Sequence, residues 1–246
     1  MDLSHSLSIT SKSADGREIF DRPRLSAAYF RQPGWQGPQW QAAASARTCK
    51  RVLDVVAALL LLVLLSPLML AIAVIVRRDG GDALYRQQRV GRFGRDFCCI
   101  KFRSMDPCAD RQLADILARD AAAAAEWSTT QKLRDDPRVT RVGHLLRGAS
   151  LDELPQLLNV IRGEMSLVGP RPIVRSELRF YGRDADSYMR ARPGLTGLWQ
   201  VSGRSDTSYE QRVRLDVRYV QQWTFWLDIV ILLRTIPIVL RRRGAI

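Results

Sequence analysis

The sequence predicts a mainly helical α+β protein: a membrane-embedded helical segment followed by a small polar domain with interfacial amphipathic helices. Three observations point there. A nearly unbroken apolar run extends from Val55 to Val76. Helical periodicity recurs through most of the polar remainder. One pair of short segments rich in strand-forming residues flanks a glycine-bearing turn. The chain has 246 residues with 46% hydrophobic residues, so a packed core is available and disorder of the whole chain is excluded. A formal charge of +13 calls for an anionic partner: a nucleic acid, an acidic membrane surface or a phosphate-bearing substrate.

The four cysteines (Cys49, Cys98, Cys99, Cys108) form no C-x-x-C pair and are too few for a disulfide scaffold, and zinc-site spacing is absent. The only histidines are His5 and His144, so acid–base work falls to carboxylates.

Residues 1–48 lack periodic apolar pattern and any signal-peptide core, and read as a disordered tail. Residues 49–78 form the membrane segment. Ser66-Pro67 interrupts it midway, where proline removes a backbone donor. Lys50 and Arg51 precede it and Arg77 and Arg78 follow it, a symmetric positive flank that favours both ends in the cytoplasm. Each half is about 16 Å of helix, or half the hydrocarbon thickness. A hairpin that breaks at Ser66-Pro67 and returns to the same face satisfies these facts. A kinked spanning helix satisfies the periodicity equally well.

Residues 79–222 form the polar domain. Ala83–Val90 and Asp96–Phe102 read as strands, Arg111–Thr129 as an Ala-rich helix and Thr140–Arg147 as a helix after the Asp135-Asp136-Pro137 stop. Ser150–Ile161 reads as a helix ended near Gly163, with further helical pieces at Leu178–Tyr181, Asp186–Arg192 and Tyr209–Trp223. Residues 223–246 combine Trp223, Trp226 and Ile229 with Asp228, Arg234 and an Arg241-Arg242-Arg243 cluster, a composition suited to an interfacial helix with a basic tail.

The densest chemical candidate is Ser150-Leu151-Asp152-Glu153-Leu154-Pro155-Gln156. Ser150 and Glu153 also match a capping box, which gives the carboxylates a purely structural explanation. Their surroundings shift the balance. Arg147 lies just upstream, and Arg171 is held between Pro170 and Pro172, a stiff presentation of a phosphate donor. Carboxylates inside a cationic site suit phosphate chemistry assisted by a metal ion. Lys101 and Arg103 share a strand face and fit either a phosphate contact or a solvated edge. Arg204 sits in a Gly-rich basic loop, a weak signal alone. Asp216 and Tyr219 share a helical face, as a packed polar pair would.

These motifs together resemble the bacterial monotopic phosphoglycosyl transferases. Lys50-Arg51-x-x-Asp54 ahead of the Ser66-Pro67 break, Lys101-Phe102-Arg103-Ser104-Met105, the Asp152-Glu153 segment and Val168-Gly169-Pro170-Arg171-Pro172 carry the likeness. The stretch from Arg192 to Arg204, with Asp216, Tyr219, Trp226 and Asp228, is similar to the exopolysaccharide-priming branch, of compact galactose- or glucose-priming type. The resemblance runs from about Lys50 to the end. It implies a re-entrant helical hairpin, a cytoplasmic catalytic domain and a place in the bacterial inner membrane. It further implies transfer of a hexose-1-phosphate from a UDP-sugar to undecaprenyl phosphate, with release of UMP. By the same resemblance Asp152 is the nucleophile of an aspartyl phosphosugar intermediate, and Glu153 assists as a base or through Mg²⁺, with both carboxylates as candidate metal ligands. Arg147 and Arg171 would hold phosphate or nucleotide, joined by Lys101, Arg103 and Arg204. The partners implied are undecaprenyl phosphate, a UDP-sugar and membrane lipid, with a homodimer and later polysaccharide-assembly glycosyltransferases allowed for.

A basic membrane-surface adaptor would need the apolar segment and the charge but not the carboxylate pair. Nucleic acid is not expected as a partner, because no recognition module accompanies the cations.

Overall fold

The computed structural model describes residues 11–12, 18–19, 44–78, 80–130, 133, 135–202 and 208–240. The chain divides into two compact units, Met1–Trp35 and Gln36–Ile246. In the first, β1 (Ser11–Lys12) and β2 (Glu18–Ile19) pair antiparallel. The rest of the tail expected over residues 1–48 lies outside the described residues as far as position 43, and from Ala44 onward the chain is helix rather than tail.

The second unit opens with α1 (Ala44–Arg77), which continues through Ser66 and Pro67 without a break in its helical pattern. Pro67 has no N–H to give the Val63 carbonyl, and the Ser66 hydroxyl donates to that carbonyl instead (2.8 Å). Among the described residues, α1 is the one helix long and apolar enough to cross a membrane. Its middle is bare: Val63 and Leu64 are each 74% exposed. Its two ends are not. Asp54 and Ala58 are buried near one end, and Ile72 and Val76 near the other.

Next comes an antiparallel hairpin of β3 (Leu84–Val90) and β4 (Asp96–Phe102), as the strand pattern predicts, with Tyr85 opposite Lys101 and Arg89 opposite Phe97. The Ala-rich stretch is two helices, α2 (Ala109–Arg119) and α3 (Ala121–Thr130). Asp120 divides them because its carboxylate accepts from the Ala122 and Ala123 amides, capping a new helix. In α4 (Arg141–Gly148), Thr140 caps the first turn by accepting from Gly143 N.

The single helix expected over Ser150–Ile161 is instead a 3₁₀ turn, Leu151–Glu153, followed by α5 (Gln156–Arg162). Ser150 adopts a left-handed conformation (φ 55°) and makes no side-chain cap, so the capping box does not form. Gly163, also left-handed, ends α5. The amide of the buried Asn159 fastens α5 to β4, donating to Cys98 O and accepting from Ile100 N.

A parallel pair follows that the sequence pattern did not reveal, β5 (Ser166–Val168) with β6 (Gly194–Thr196). Between them lie α6 (Leu178–Tyr181) and α7 (Ala185–Tyr188); the helix expected to reach Arg192 ends at Tyr188. The chain closes with α8 (Leu198–Val201), α9 (Tyr209–Gln221) and α10 (Phe225–Leu240). On α10, Trp226, Val230, Leu233 and Ile236 form an exposed apolar face, as an interfacial helix requires. Asp228 does not face water: it is buried, accepting from Tyr219 Oη (2.8 Å), Trp223 Nε1 (3.0 Å) and Lys50 Nζ (2.6 Å). The Arg241-Arg242-Arg243 cluster lies outside the described residues.

One core joins Ala58 of α1 to Leu157, Val160, Met165, Tyr219 and Ile231. Another joins Ile72 and Val76 to Phe102 and Leu146. Both flanks of the apolar segment therefore pack on the same polar unit.

Candidate active site

The site is assembled where β4, α4 and the 3₁₀ turn meet. The left-handed Ser150 turns the chain sharply after α4, so that Asp152 points inward and Glu153 sits at the rim. Lys101, the penultimate residue of β4, supplies the facing cation. Its Nζ lies 2.6 Å from Glu153 Oε1 and 4.0 Å from Asp152 Oδ2. Arg147, in the last turn of α4, donates from Nε to the buried Ser104 hydroxyl (2.9 Å). Gly143 permits that approach: a Cβ there would overlap the Ser104 carbonyl.

Burial raises the Asp152 pKa above the ordinary carboxylate value; Lys101 and Arg147 oppose that rise and Glu153 adds to it. Burial alone would depress the Lys101 ammonium, but Glu153 and Asp152 outweigh it and hold the pKa above its usual value. Lys101 is therefore a firm cation. Arg147 is lowered by burial, with Asp152 and Asp136 pulling it back. The result is an inward carboxylate kept partly desolvated beside two positive groups, an arrangement able to present an anionic oxygen to a phosphoryl centre while compensating its charge.

Arg171 belongs to a second cluster. Its guanidinium is 3.7 Å from the buried Glu177 and stacks 5.7 Å from the Trp199 ring centroid, which Arg212 also approaches at 5.2 Å. Arg89 contacts the same Glu177 (3.5 Å). Arg89 and Lys101 share one face of the hairpin, their cross-strand positions four residues apart on β4, about 13 Å. Arg89, Glu177 and Arg212 were not singled out from sequence, and Trp199 stood within the Arg192–Arg204 stretch without a role assigned to it. Stacking and charge pairing over such separations have no local signature.

Arg103 departs from the expectation drawn from strand alternation. β4 ends at Phe102, and Arg103 is buried, donating to Asp82 O and Val76 O. It stands at the C-terminal end of α1, where a cation complements the exposed carbonyls. Arg204 lies outside the described residues. Asp216 and Tyr219 do not pair with each other: Asp216 accepts from Tyr181, and Tyr219 donates to Asp228 and Val168 O.

Residues 45–242 match a family model described as bacterial sugar transferase. The chain belongs to that family. Among sugar transferases it is 54% identical over 201 residues to a UDP-galactose-lipid carrier transferase of Erwinia amylovora and to an undecaprenyl-phosphate galactose phosphotransferase of Salmonella typhimurium. Each match takes in 82% of this chain but 42% of the relative, so the chain spans less than half the length of those two proteins. An exopolysaccharide production protein, ExoY, of Sinorhizobium fredii is 54% identical over 197 residues, 80% of this chain and 87% of its own. The site assembled above falls entirely within the matched sugar-transferase region.

Among the described residues, no group of three or more His, Cys, Asp or Glu side chains is placed to hold a metal ion. Two adjacent carboxylates with no third suit a divalent cation that takes its remaining ligands from substrate phosphates and water.

Proposed function

We propose that this sugar transferase moves a hexose-1-phosphate from a UDP-sugar to undecaprenyl phosphate, releasing UMP, as the priming step of exopolysaccharide synthesis. Galactose is the favoured sugar and glucose the next candidate. The observation that carries the reading is the buried Asp152 carboxylate, 4.0 Å from the Lys101 ammonium and within the electrostatic influence of Arg147. The names borne by the Erwinia, Salmonella and Sinorhizobium relatives support the donor, the acceptor and the pathway class.

In this mechanism an Asp152 oxygen attacks the sugar-bearing phosphorus of the UDP-sugar. The bond from that phosphorus to the bridging oxygen breaks, and its electron pair leaves on UMP. The acyl phosphate is then attacked by a phosphate oxygen of undecaprenyl phosphate, which restores the free carboxylate. One phosphoanhydride is broken and one formed. Lys101 and Arg147 neutralise charge on the phosphoryl oxygens, and Glu153 orients Lys101 and takes the proton of undecaprenyl phosphate when its phosphate arrives as the monoanion. Mg²⁺ bound through the Asp152 and Glu153 carboxylates would offset further phosphoryl charge. Arg171 and Arg212, both packed against the buried Trp199, would supply cations suited to the nucleotide phosphates.

The membrane reading is a re-entrant segment with the domain on the cytoplasmic face of the inner membrane. Its support is that Asp54 is held by Ser166 and Leu167 while Val76 is held by Arg103, all in one unit. As a straight helix those positions would be about 33 Å apart, a full hydrocarbon thickness. A spanning helix would carry them to opposite faces. A homodimer and docking of later glycosyltransferases remain part of the proposal.

The test is UMP release from membranes supplied with undecaprenyl phosphate, Mg²⁺ and a panel of UDP-sugars. Turnover with UDP-galactose or UDP-glucose is expected. Silence across the panel in a folded, membrane-bound sample would favour the adaptor reading.

A further inference from the structure

At the base of α1, on residues that do not touch Asp152 or Glu153, lies a small cavity of about 50 Å³. Six cations line it (Arg47, Lys50, Arg51, Arg92, Arg190 and Arg192) against one carboxylate, Asp54. The charge is poorly balanced from within. Lys50 pairs with Asp228 (2.6 Å) and lies 3.8 Å from Asp54, whose two oxygens also accept from Ser166 Oγ and Leu167 N, so both carboxylates are engaged by one lysine and neutral donors. Arg51 donates to Val160 O and Ile161 O, Arg92 to Arg190 O and Arg192 to Gly163 O. Carbonyls thus hold these guanidinium groups in place without cancelling their charge. Burial lowers Arg92 and Arg192, and neighbouring arginines lower each further, with Asp54 opposing the fall at Arg192. Like charges gathered in a half-buried cleft are stabilised by an anion.

The position narrows the anion. Arg47, Lys50 and Arg51 occupy the first turns of α1, and Val52 and Val56 directly above them are about half exposed. Trp223, which also lines the cavity, stands two residues before α10 with its exposed apolar face. The cleft therefore opens at the level where two apolar surfaces enter the bilayer.

We infer that this cleft is a second anion site that binds the phosphate of an anionic phospholipid headgroup, or a free phosphate, and ties the base of α1 to the membrane surface. The site is distinct from the transfer centre and independent of the transfer chemistry.

The experiment uses the full chain in nanodiscs of phosphatidylcholine with or without phosphatidylglycerol, and in neutral detergent with inorganic phosphate. Retained lipid is read by native mass spectrometry and stability by melting temperature. Phosphatidylglycerol should bind, and R47Q/R92Q should weaken it roughly thirtyfold, for two basic residues removed at a membrane surface. R47K/R92K, which keeps the charge, should restore binding and thereby exclude misfolding as the cause. Stabilisation by inorganic phosphate that is lost in R47Q/R92Q, without lipid retention, would assign the site to free phosphate. Equal binding by wild type and a folded R47Q/R92Q, or no binding of either ligand, would overturn the inference.

Discussion

Lys101 Nζ lies 2.6 Å from Glu153 Oε1, and the same ammonium reaches within 4.0 Å of Asp152. One cation thus serves both members of the carboxylate pair. It restrains Glu153 by direct contact and tempers, from slightly further away, the rise that burial imposes on Asp152.

Replacing Lys101 should therefore move a titration as well as slow a rate. The proposed mechanism requires an ionised Asp152, so activity should rise with pH along an acidic limb displaced above the ordinary aspartate range. In Lys101→Met that limb should move to still higher pH, because an attraction favouring the carboxylate is lost, and turnover should fall on the order of a hundredfold. A slower enzyme with an unmoved pH–rate limb would mean that Lys101 does not act on Asp152.

Gly143 sets how closely α4 approaches the end of β4. Gly143→Ala should destabilise the protein by about 1–3 kcal/mol in denaturant titration, since the new methyl overlaps the Ser104 carbonyl. It should also lower turnover by displacing Arg147 from Ser104. Unchanged stability would show that the two elements separate freely.

Asp216 is fully enclosed, and its Oδ2 accepts from the Tyr181 hydroxyl (2.7 Å). Burial pushes its pKa from 3.8 up to about 7, while Tyr181, Arg171 and Arg212 pull the other way. With the folded pKa above the unfolded one, this contribution to stability is complete below about pH 4 and is lost as pH rises through 7. The stability of Asp216→Asn relative to wild type should therefore climb between pH 4 and 7, by roughly 4 kcal/mol at most. A difference independent of pH would contradict the assignment.

The elements readable from sequence were those whose signals are local. The β3–β4 hairpin follows from strand-forming residues around a glycine turn, and the apolar α1 from its composition. Elements decided by distant partners were not readable. Three-residue β5 becomes a strand only because β6 lies beside it, well downstream. Asp228 reads from sequence only as one of the charges of the C-terminal segment, yet Lys50, 178 positions away, pairs with it. Within the site, Asp152, Glu153, Lys101 and Arg147 do come together. The capping-box pattern at Ser150 and Glu153 pointed to a different local structure, because Lys101 claims Glu153 and Ser150 turns left-handed. Arg103 was diverted to the end of α1 once β4 stopped one residue earlier.

The packing of both α1 flanks on one unit makes a topological prediction. With Cys49 and Cys108 first replaced by serine, Ser45→Cys and Gly80→Cys should both resist a membrane-impermeant thiol reagent in intact cells and both react after permeabilisation. Labelling of one alone in intact cells would establish a spanning helix.

Intact-protein mass spectrometry tests the proposed covalent role of Asp152 most directly. Purified protein incubated with Mg²⁺ and a UDP-sugar, without undecaprenyl phosphate, should gain the mass of one hexose phosphate and release UMP. The adduct should map to Asp152, vanish on addition of undecaprenyl phosphate, and never form in Asp152→Asn. Full turnover by Asp152→Asn, or UMP released only when both substrates are present and with no adduct, would contradict it.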